Sequence, residues 1–464
     1  MLKRLTAFAL VLVLLFSCAC FAQAECWKTL RKGSRGSEVK ELQTALKNLG
    51  LYSLKIDGVY GKGTAAAVKA YQRRNGLAAD GIAGPKTLTK LYGTKASSGG
   101  QETGASQTAA ASSSLPTEAE QLLKRIAAES GAACGTLVLS KNGKTILAWS
   151  FGKVDENTCF RIASVTKWVT AIGLMTLYDQ GKLDLDRDIS DYLPFRVRNP
   201  AWPDTPITAR MLLSHTSSLS PDAQDYHPDW ERIGVRGYDP IFDETVKPGT
   251  KYAYADYNGA LFGCLIEAIT GESVQTYLNR TVFRPLGLTA AYTPNALPSG
   301  TATRDLLNAK GRAAITVKKD KNRKFNYKAD PRENNGYTVG KLYINTASLT
   351  KLARMMLNGG ELDGVRILEA DTVALMEADQ PGLAHSRYGL STVREDWFPR
   401  GTWYGHQGRY SGLTSNVYYQ RETGLTLALV MNGYEYELEN NVVMPAVTLM
   451  KNMETLENLL TGGN

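Results

Sequence analysis

Beyond its first two dozen residues the chain has no apolar run of transmembrane length, so nothing past the N-terminus is expected to span a bilayer. Cysteine is sparse: six in 464 residues, of which Cys18 and Cys20 lie in that opening stretch. Cys26, Cys134, Cys159 and Cys264 remain, and they lack the spacing of a metal site. Four cysteines allow three pairings, among which the sequence does not choose. Cys134 and Cys159 flank a predicted hairpin and could pair in an oxidising compartment, whereas Cys264, in an apolar helix, reads as a small core residue. Neither nucleotide-binding nor metal-ligand spacing is present, so no cofactor is implied. With no nucleic-acid motif, nucleic acid is not an expected partner.

What is present begins with an export signal. Lys3 and Arg4 precede an apolar run from Ala7 to Phe16 and the small-residue pattern Ala22-Gln23-Ala24, which predicts a signal peptide over residues 1–24, cleaved before Glu25. A lipid-anchor reading at Cys18 fits less well, because bulky Phe16 sits beside the cleavage position. The mature protein is therefore expected outside the cytoplasm, secreted or associated with a bacterial cell wall.

Residues 94–116, rich in Ser, Gly, Ala and Thr, have too little large apolar surface to form a core and read as a flexible linker. The linker separates a small unit, residues 25–93, from a large one, residues 117–464. The small unit carries 13 Lys/Arg against 5 Asp/Glu, a balance that suits an anionic matrix such as a wall with phosphate polymers. It also repeats itself. Asp57-Gly58-Val59-Tyr60-Gly61-Lys62-Gly63-Thr64 returns as Asp80-Gly81-Ile82-Ala83-Gly84-Pro85-Lys86-Thr87, each copy a glycine-rich turn entering a helix. Val39, Leu42, Leu46 and Leu49 form an apolar helical stripe before the first copy, and Ala67, Val68 and Tyr71 another between the two. Leu30-Arg31-Lys32-Gly33-Ser34-Arg35-Gly36, Val39-Lys40-Glu41-Leu42-Gln43, the Asp57 turn, Ala70-Tyr71-Gln72 and Asn75-Gly76-Leu77 resemble the peptidoglycan-binding family of small three-helix, all-α modules. The resemblance spans residues 28–92 and implies peptidoglycan as a partner.

In the large unit, strand-like runs at Thr136–Ser140 and Thr145–Ser150 meet at Lys141-Asn142-Gly143, a hairpin signal. Further strands are expected at Ser415–Gln420 and Leu425–Met431, with a final helical stretch from about Val442 to Leu460. Strands at both ends with helices between them predict an α+β (α/β) domain: one antiparallel sheet assembled from both ends, with a helical subdomain. The chemistry starts at Phe160-Arg161-Ile162-Ala163-Ser164-Val165-Thr166-Lys167. A serine needs a base to become a nucleophile, and a lysine three residues on shares its helix face. If burial lowers the lysine pKa, its amine can serve as that base.

Two other runs join it. Tyr252-Ala253-Tyr254-Ala255-Asp256-Tyr257-Asn258 precedes an apolar helix, and a tyrosine beside a lysine can share in proton transfer. Gly405-His406-Gln407-Gly408 precedes a strand, where small residues let a substrate backbone approach a strand edge. His215, in Leu212-Leu213-Ser214-His215-Thr216-Ser217, has no acidic partner in its local sequence and is expected to be structural. The crowd of cations from Lys310 to Lys328 reads as a solvated loop.

These runs, with Asn358-Gly359-Gly360 to Leu368, resemble the serine hydrolases of the β-lactamase fold, in the branch of class C β-lactamases, DD-peptidases and related esterases. The resemblance covers about residues 120–460. It implies Ser164 as nucleophile, Lys167 as base partner, Tyr254 in proton transfer, and the backbone N–H groups of Ser164 and Arg409 as an oxyanion hole, with Asp256, His406 and Gly408 on the substrate side. Three positions depart from the pattern. Asp256 stands where the family usually has Asn, His406 replaces the Lys of a Lys-Thr-Gly triplet, and Ser218 takes the place of a frequent Gly. An ionised Asp256 cannot donate the usual amide hydrogen bond to a penicillin-like substrate, and His406 argues against an efficient β-lactamase. The expected activity is wall-directed acyl transfer on peptidoglycan stem peptides, as a D-alanyl-D-alanine carboxypeptidase or endopeptidase. An esterase, D-amino-acid amidase or weak β-lactamase is the alternative within the fold. A non-catalytic wall-binding or β-lactam-sensing protein is the alternative of another class.

Overall fold

The computed structural model describes residues 29–92, 115–221, 241–321, 336–380 and 387–462. The predicted signal peptide, Cys26, most of the linker and the cations beyond Lys321 lie outside these residues. The chain divides into two units, Met1–Gln107 and Thr108–Asn464.

Among its described residues the first unit has three helices, α1 (Ser37–Asn48), α2 (Lys62–Arg74) and α3 (Pro85–Tyr92). Val39, Leu42, Leu46, Ala67, Val68 and Tyr71 close its core. Leu49, expected on the same stripe, is instead exposed because it caps the end of α1 and falls past the buried face. The sequence repeat becomes a repeated hydrogen-bond cage. The buried Gln43 amide donates to Asp57 Oδ1, Val59 O and Thr64 Oγ1 and accepts from Gly58 N–H. Gln72 does the same with Asp80, Ile82, Thr87 and Gly81. Each Asp-Gly turn thus needs its Asp as acceptor, its Gly for the positive φ (73° and 75°), and its Thr to complete the cage.

The second unit opens with α4 (Thr117–Ser130), β1 (Cys134–Lys141) and β2 (Lys144–Phe151), followed by α5 (Val165–Asp179), α6 (Asp256–Thr270) and α7 (Thr346–Leu357). Strands β3 (Val393–Glu395), β4 (Trp403–Tyr410), β5 (Leu413–Gln420) and β6 (Leu425–Asn432) come next, then α8 (Met444–Lys451) and α9 (Met453–Thr461). The six strands form one antiparallel sheet in the order β3-β4-β5-β6-β1-β2. β1 pairs with β6 from Cys134↔Asn432 to Lys141↔Leu425, so the two ends of the domain do meet in one sheet. Every residue of β5 and β6 is buried because both faces are covered. Leu427, Leu429, Met431, Trp403 and Tyr418 pack with the α4, α8 and α9 side chains, while Val417, Tyr419, Ala428 and Val430 join the core around α5 and α7. The single C-terminal helix expected from the sequence is two helices broken at Asn452, after a short strand at Val442–Val443.

Cys134, Cys159 and Cys264 are all buried and none of them is in a disulfide, which corrects the suggested Cys134–Cys159 pairing. Cys134 lies on β1 against β6, whereas Cys159 sits in a different buried cluster with Ala291 and Tyr343. Burial pushes the Cys159 thiol up to about 12, which makes it a packing group rather than a reactive one.

Candidate active site

α5 is buried around its whole circumference from Val165 to Leu177, as a central core helix must be. Ser164 stands at its N-cap with helical φ and ψ, and its hydroxyl caps no backbone N–H. That hydroxyl instead faces Lys167 Nζ at 3.0 Å. The residue before it, Ala163, has φ 47°, a left-handed backbone unusual for a residue with a Cβ. The turn is held from outside. Ile162 N–H donates to Leu342 O, and Ser415 Oγ on β5 donates to Ile162 O at 2.6 Å.

Lys167 is completely buried. Besides Ser164, it contacts Val339 O at 2.9 Å and Asp256 Oδ1 at 2.7 Å. Its stem is pressed against α6 at Gly259, where an added Cβ would lie 2.7 Å from Lys167 Cγ. The sequence did not single out Gly259. Its signal was a small residue immediately after the Tyr-rich run, and only the helix–helix contact gives it meaning. The expected depression of the lysine pKa is not what the structure produces. Burial by itself would lower it, but Tyr254 and the Asp256 carboxylate more than offset burial and hold the ammonium above the ordinary lysine value.

Tyr254 and Asp256 flank the start of α6, and His215 positions both. The His215 carbonyl accepts from Ala253 N–H at 2.8 Å, and its Nδ1 accepts from Ala255 N–H at 3.1 Å. The ring stacks on Tyr254 at 4.1 Å between centroids. Ser217 Oγ donates to Asn258 Oδ1, and Asn258 Nδ2 in turn lies 2.9 Å from His215 Nδ1. The Ser214–Ser217 run is thus a bracket for the tyrosine loop, in keeping with a structural histidine. Ser218 takes φ 62°, the conformation a glycine would favour there, with its hydroxyl accepting from Asn199 Nδ2. Tyr254 Oη is buried without a hydrogen bond of ordinary geometry, and Lys167 Nζ lies 5.4 Å from the Tyr254 ring centre.

Across the site, Gly408 on β4 lies directly against the nucleophile. A Cβ there would be 2.5 Å from Ile162 O, 2.7 Å from Ser415 Oγ and 2.8 Å from Ser164 N. β4 pairs with β3 only from Trp403 to Gly405. From His406 onward that edge meets no other strand among the described residues, leaving a segment beside Ser164 that an extended backbone could join. Arg409 follows on the same strand, and its side chain is tied away at Asn441 Oδ1. His406 is in the site's wall rather than on its surface: buried, its Nδ1–H donates to Gln407 O and its Nε2 accepts from Tyr388 O–H at 2.7 Å. Tyr388, which sequence reasoning missed, also packs edge-on to His215 at 5.1 Å and so links the two histidines. Nothing in its local sequence marks it.

Burial, then the Lys167 charge, pushes His406 down to about 3, and burial with Lys167 and His406 depresses His215 well below its usual value. Both are neutral in the folded protein. The unfolded chain binds these protons near pH 6.5. Their contribution is therefore fully present above about pH 6.5 and is lost progressively as pH falls, towards about 3 for His406. The difference in unfolding free energy between wild type and His406→Gln should shrink by about 1.4 kcal/mol per pH unit between pH 6 and 4. Urea titrations at three pH values would read it, and a constant difference would refute the assignment.

A serine, a buried lysine, a tyrosine and an open strand edge around one antiparallel sheet define the class of serine hydrolases with a penicillin-binding-protein-like fold. The comparisons agree. A model of the Beta-lactamase family matches residues 119–443, and the chain belongs to that family. A putative peptidoglycan binding domain matches residues 35–91. The chain is similar to Penicillin-binding protein 4 of Amycolatopsis lactamdurans, 29% identical over 60% of this chain and 74% of that protein. It is also similar to a putative D-alanyl-D-alanine carboxypeptidase of Escherichia coli, 28% identical over 48% of this chain but only 56% of that relative. In structure it resembles the octameric penicillin-binding protein homologue from Pyrococcus abyssi, with TM-score 0.55, 21% identity, and coverage of 75% and 77% of the two chains. Among the described residues no helix is long and apolar enough to cross a membrane, and no His/Cys/Asp/Glu cluster could hold a metal ion.

Proposed function

We propose that this protein is an exported, wall-directed serine acyl-hydrolase that cleaves D-alanyl-D-alanine bonds of peptidoglycan stem peptides. Ser164 is the nucleophile, Lys167 and Tyr254 handle its proton, and the N–H groups of Ser164 and Arg409 receive the developing oxyanion. The acyl-enzyme is then released by water. The observation that carries the reading is the 3.0 Å contact of Ser164 Oγ with the sealed Lys167 amine, set beside the open edge of β4. A peptide in extended form can add to that edge through its backbone, while Gly408 leaves no side chain to obstruct it. The N-terminal module supports the substrate assignment, since tethering to a polymer raises the local concentration of its stem peptides.

The test is D-alanine release from a pentapeptide muropeptide by the chain without its signal peptide, with Ser164→Ala alongside. Release that disappears in the variant is the expected result. Hydrolysis unchanged by Ser164→Ala would overturn the mechanism. Turnover of short esters or D-amino-acid amides in place of the muropeptide would overturn the substrate while keeping the chemistry.

A further inference from the structure

We propose that Asp256 is a positioning residue that sets the working pH of this enzyme: its carboxylate locks Lys167 as an ammonium, so that Ser164 can be activated only once that proton has been lost. The inference rests on the reading of Ser164 and Lys167 as the acylating pair.

The geometry is specific. Asp256 Oδ1 lies 2.7 Å from Lys167 Nζ. The Lys167 side chain is sealed from solvent, while the Asp256 side chain keeps 45% of its surface exposed. The anion therefore stays hydrated, and only the cation has been taken out of water, which removes much of the desolvation cost of a buried pair. Asp256 is also the first residue of α6, where the unpaired backbone N–H groups favour a negative charge. An asparagine at the same point could accept a hydrogen bond from the amine but would carry no charge to hold its proton.

Of the other groups around Lys167, Tyr254 also favours the ammonium, but none of those in contact with it is a carboxylate. Its own turn offers the Ser164 hydroxyl, and the short helix Tyr337–Gly340 offers the Val339 carbonyl. The loop before α6 brings Tyr254, whose hydroxyl the ammonium also feels. His215 and His406 are close enough for the lysine charge to depress them, and both are neutral. Tyr388, buried behind them, is held in its protonated form by burial and by the nearby Tyr254, Tyr252 and Asp256. Asp256 is the carboxylate that touches Lys167 among the described residues, and a carboxylate at this distance disfavours deprotonation of the lysine.

The consequence concerns the first bond made. When Ser164 Oγ bonds to an electrophile, its O–H proton must pass to a free lone pair. Lys167 has one only after its third ammonium proton has left for solvent. With a fluorophosphonate probe the Oγ–P bond forms, the P–F bond breaks, fluoride departs with the electron pair, and the serine proton moves to the neutral amine. The reaction needs no knowledge of the natural substrate.

The experiment follows the pH dependence of Ser164 phosphonylation in wild type, Asp256→Asn and Asp256→Glu. In parallel, the Lys167 13Cε resonance is titrated in selectively labelled protein and assigned by its absence in Lys167→Met. The ascending limb of the labelling rate should lie at lower pH in Asp256→Asn by about one unit or more, a gain of about tenfold at a fixed pH on the limb. Asp256→Glu, which keeps the charge, should restore the limb towards the wild-type position, and the Lys167 titration should shift in step. A limb and a titration that coincide in wild type and Asp256→Asn would overturn the proposal, even if the variant were uniformly slower. If no probe reacts at Ser164 in any protein, the acyl-transfer reading fails, and the Lys167 titration still decides the role of Asp256.

Discussion

Replacing Lys167 with methionine is expected to slow acylation of Ser164 by about 10³- to 10⁴-fold while leaving the protein folded. Methionine has nearly the length of the lysine stem, so the contact with Gly259 is preserved. What disappears is the lone pair that receives the serine proton and the charge that favours an alkoxide. The effect on stability should be small, within roughly 1 to 2 kcal/mol, because a sealed cation is exchanged for an apolar group of similar shape. Asp256, once its contact with Lys167 is lost, can be solvated through its exposed face. The Val339 carbonyl loses a donor, and this is the main destabilising element. The kcat/KM for an activated ester, with a urea midpoint as a folding control, separates the two effects. A variant within tenfold of wild type would remove Lys167 from the chemistry.

Gly408→Ala should also be costly, by a route that involves no titratable group. The added methyl would meet two backbone atoms, Ile162 O at 2.5 Å and Ser164 N at 2.8 Å, as well as Ser415 Oγ at 2.7 Å. Backbone cannot move aside as the end of a flexible side chain can. Either β4 retreats from the nucleophile or the Ala163–Ser164 turn shifts. The turn is already committed to a left-handed residue and pinned by Leu342 and Ser415, so β4 is expected to give. A displacement of about an ångström at a reacting centre is enough for about a 10²-fold loss, with about 1 to 3 kcal/mol of overpacking strain. Because the Arg409 N–H is on the moving strand, the loss should appear in kcat more than in KM. Undiminished kcat with a normal fold would mean that the strand is not held against Ser164 as tightly as the distances require.

These two variants mark how far the sequence could be read. The Ser164–Lys167 pair was legible because three residues is nearly one helical turn, and a helix imposes that proximity whatever surrounds it. The Asp-Gly turns of the small unit were legible because their glycines answer a local backbone demand. The hairpin at Asn142-Gly143 and the antiparallel sheet built from both ends followed from alternation and turn chemistry. Leu49 and the broken C-terminal helix were misjudged at element ends, where apolar spacing continues after the supporting neighbours stop.

The sequence alone therefore determined the local elements, the composition of the linker and the pairing of Ser164 with Lys167, since each depends on residues within a turn or two of one another. Tertiary structure decided the charge of Lys167, which Tyr254 and the Asp256 carboxylate at the start of α6 hold against the cost of burial. It decided that Gly408 abuts the nucleophile through a strand contact, and that His406 faces inward onto Tyr388. It also decided that Cys134 and Cys159 lie apart in separate packing environments. Burial and electrostatics are properties of everything that surrounds a group, and the groups surrounding this site come from segments that only folding brings together.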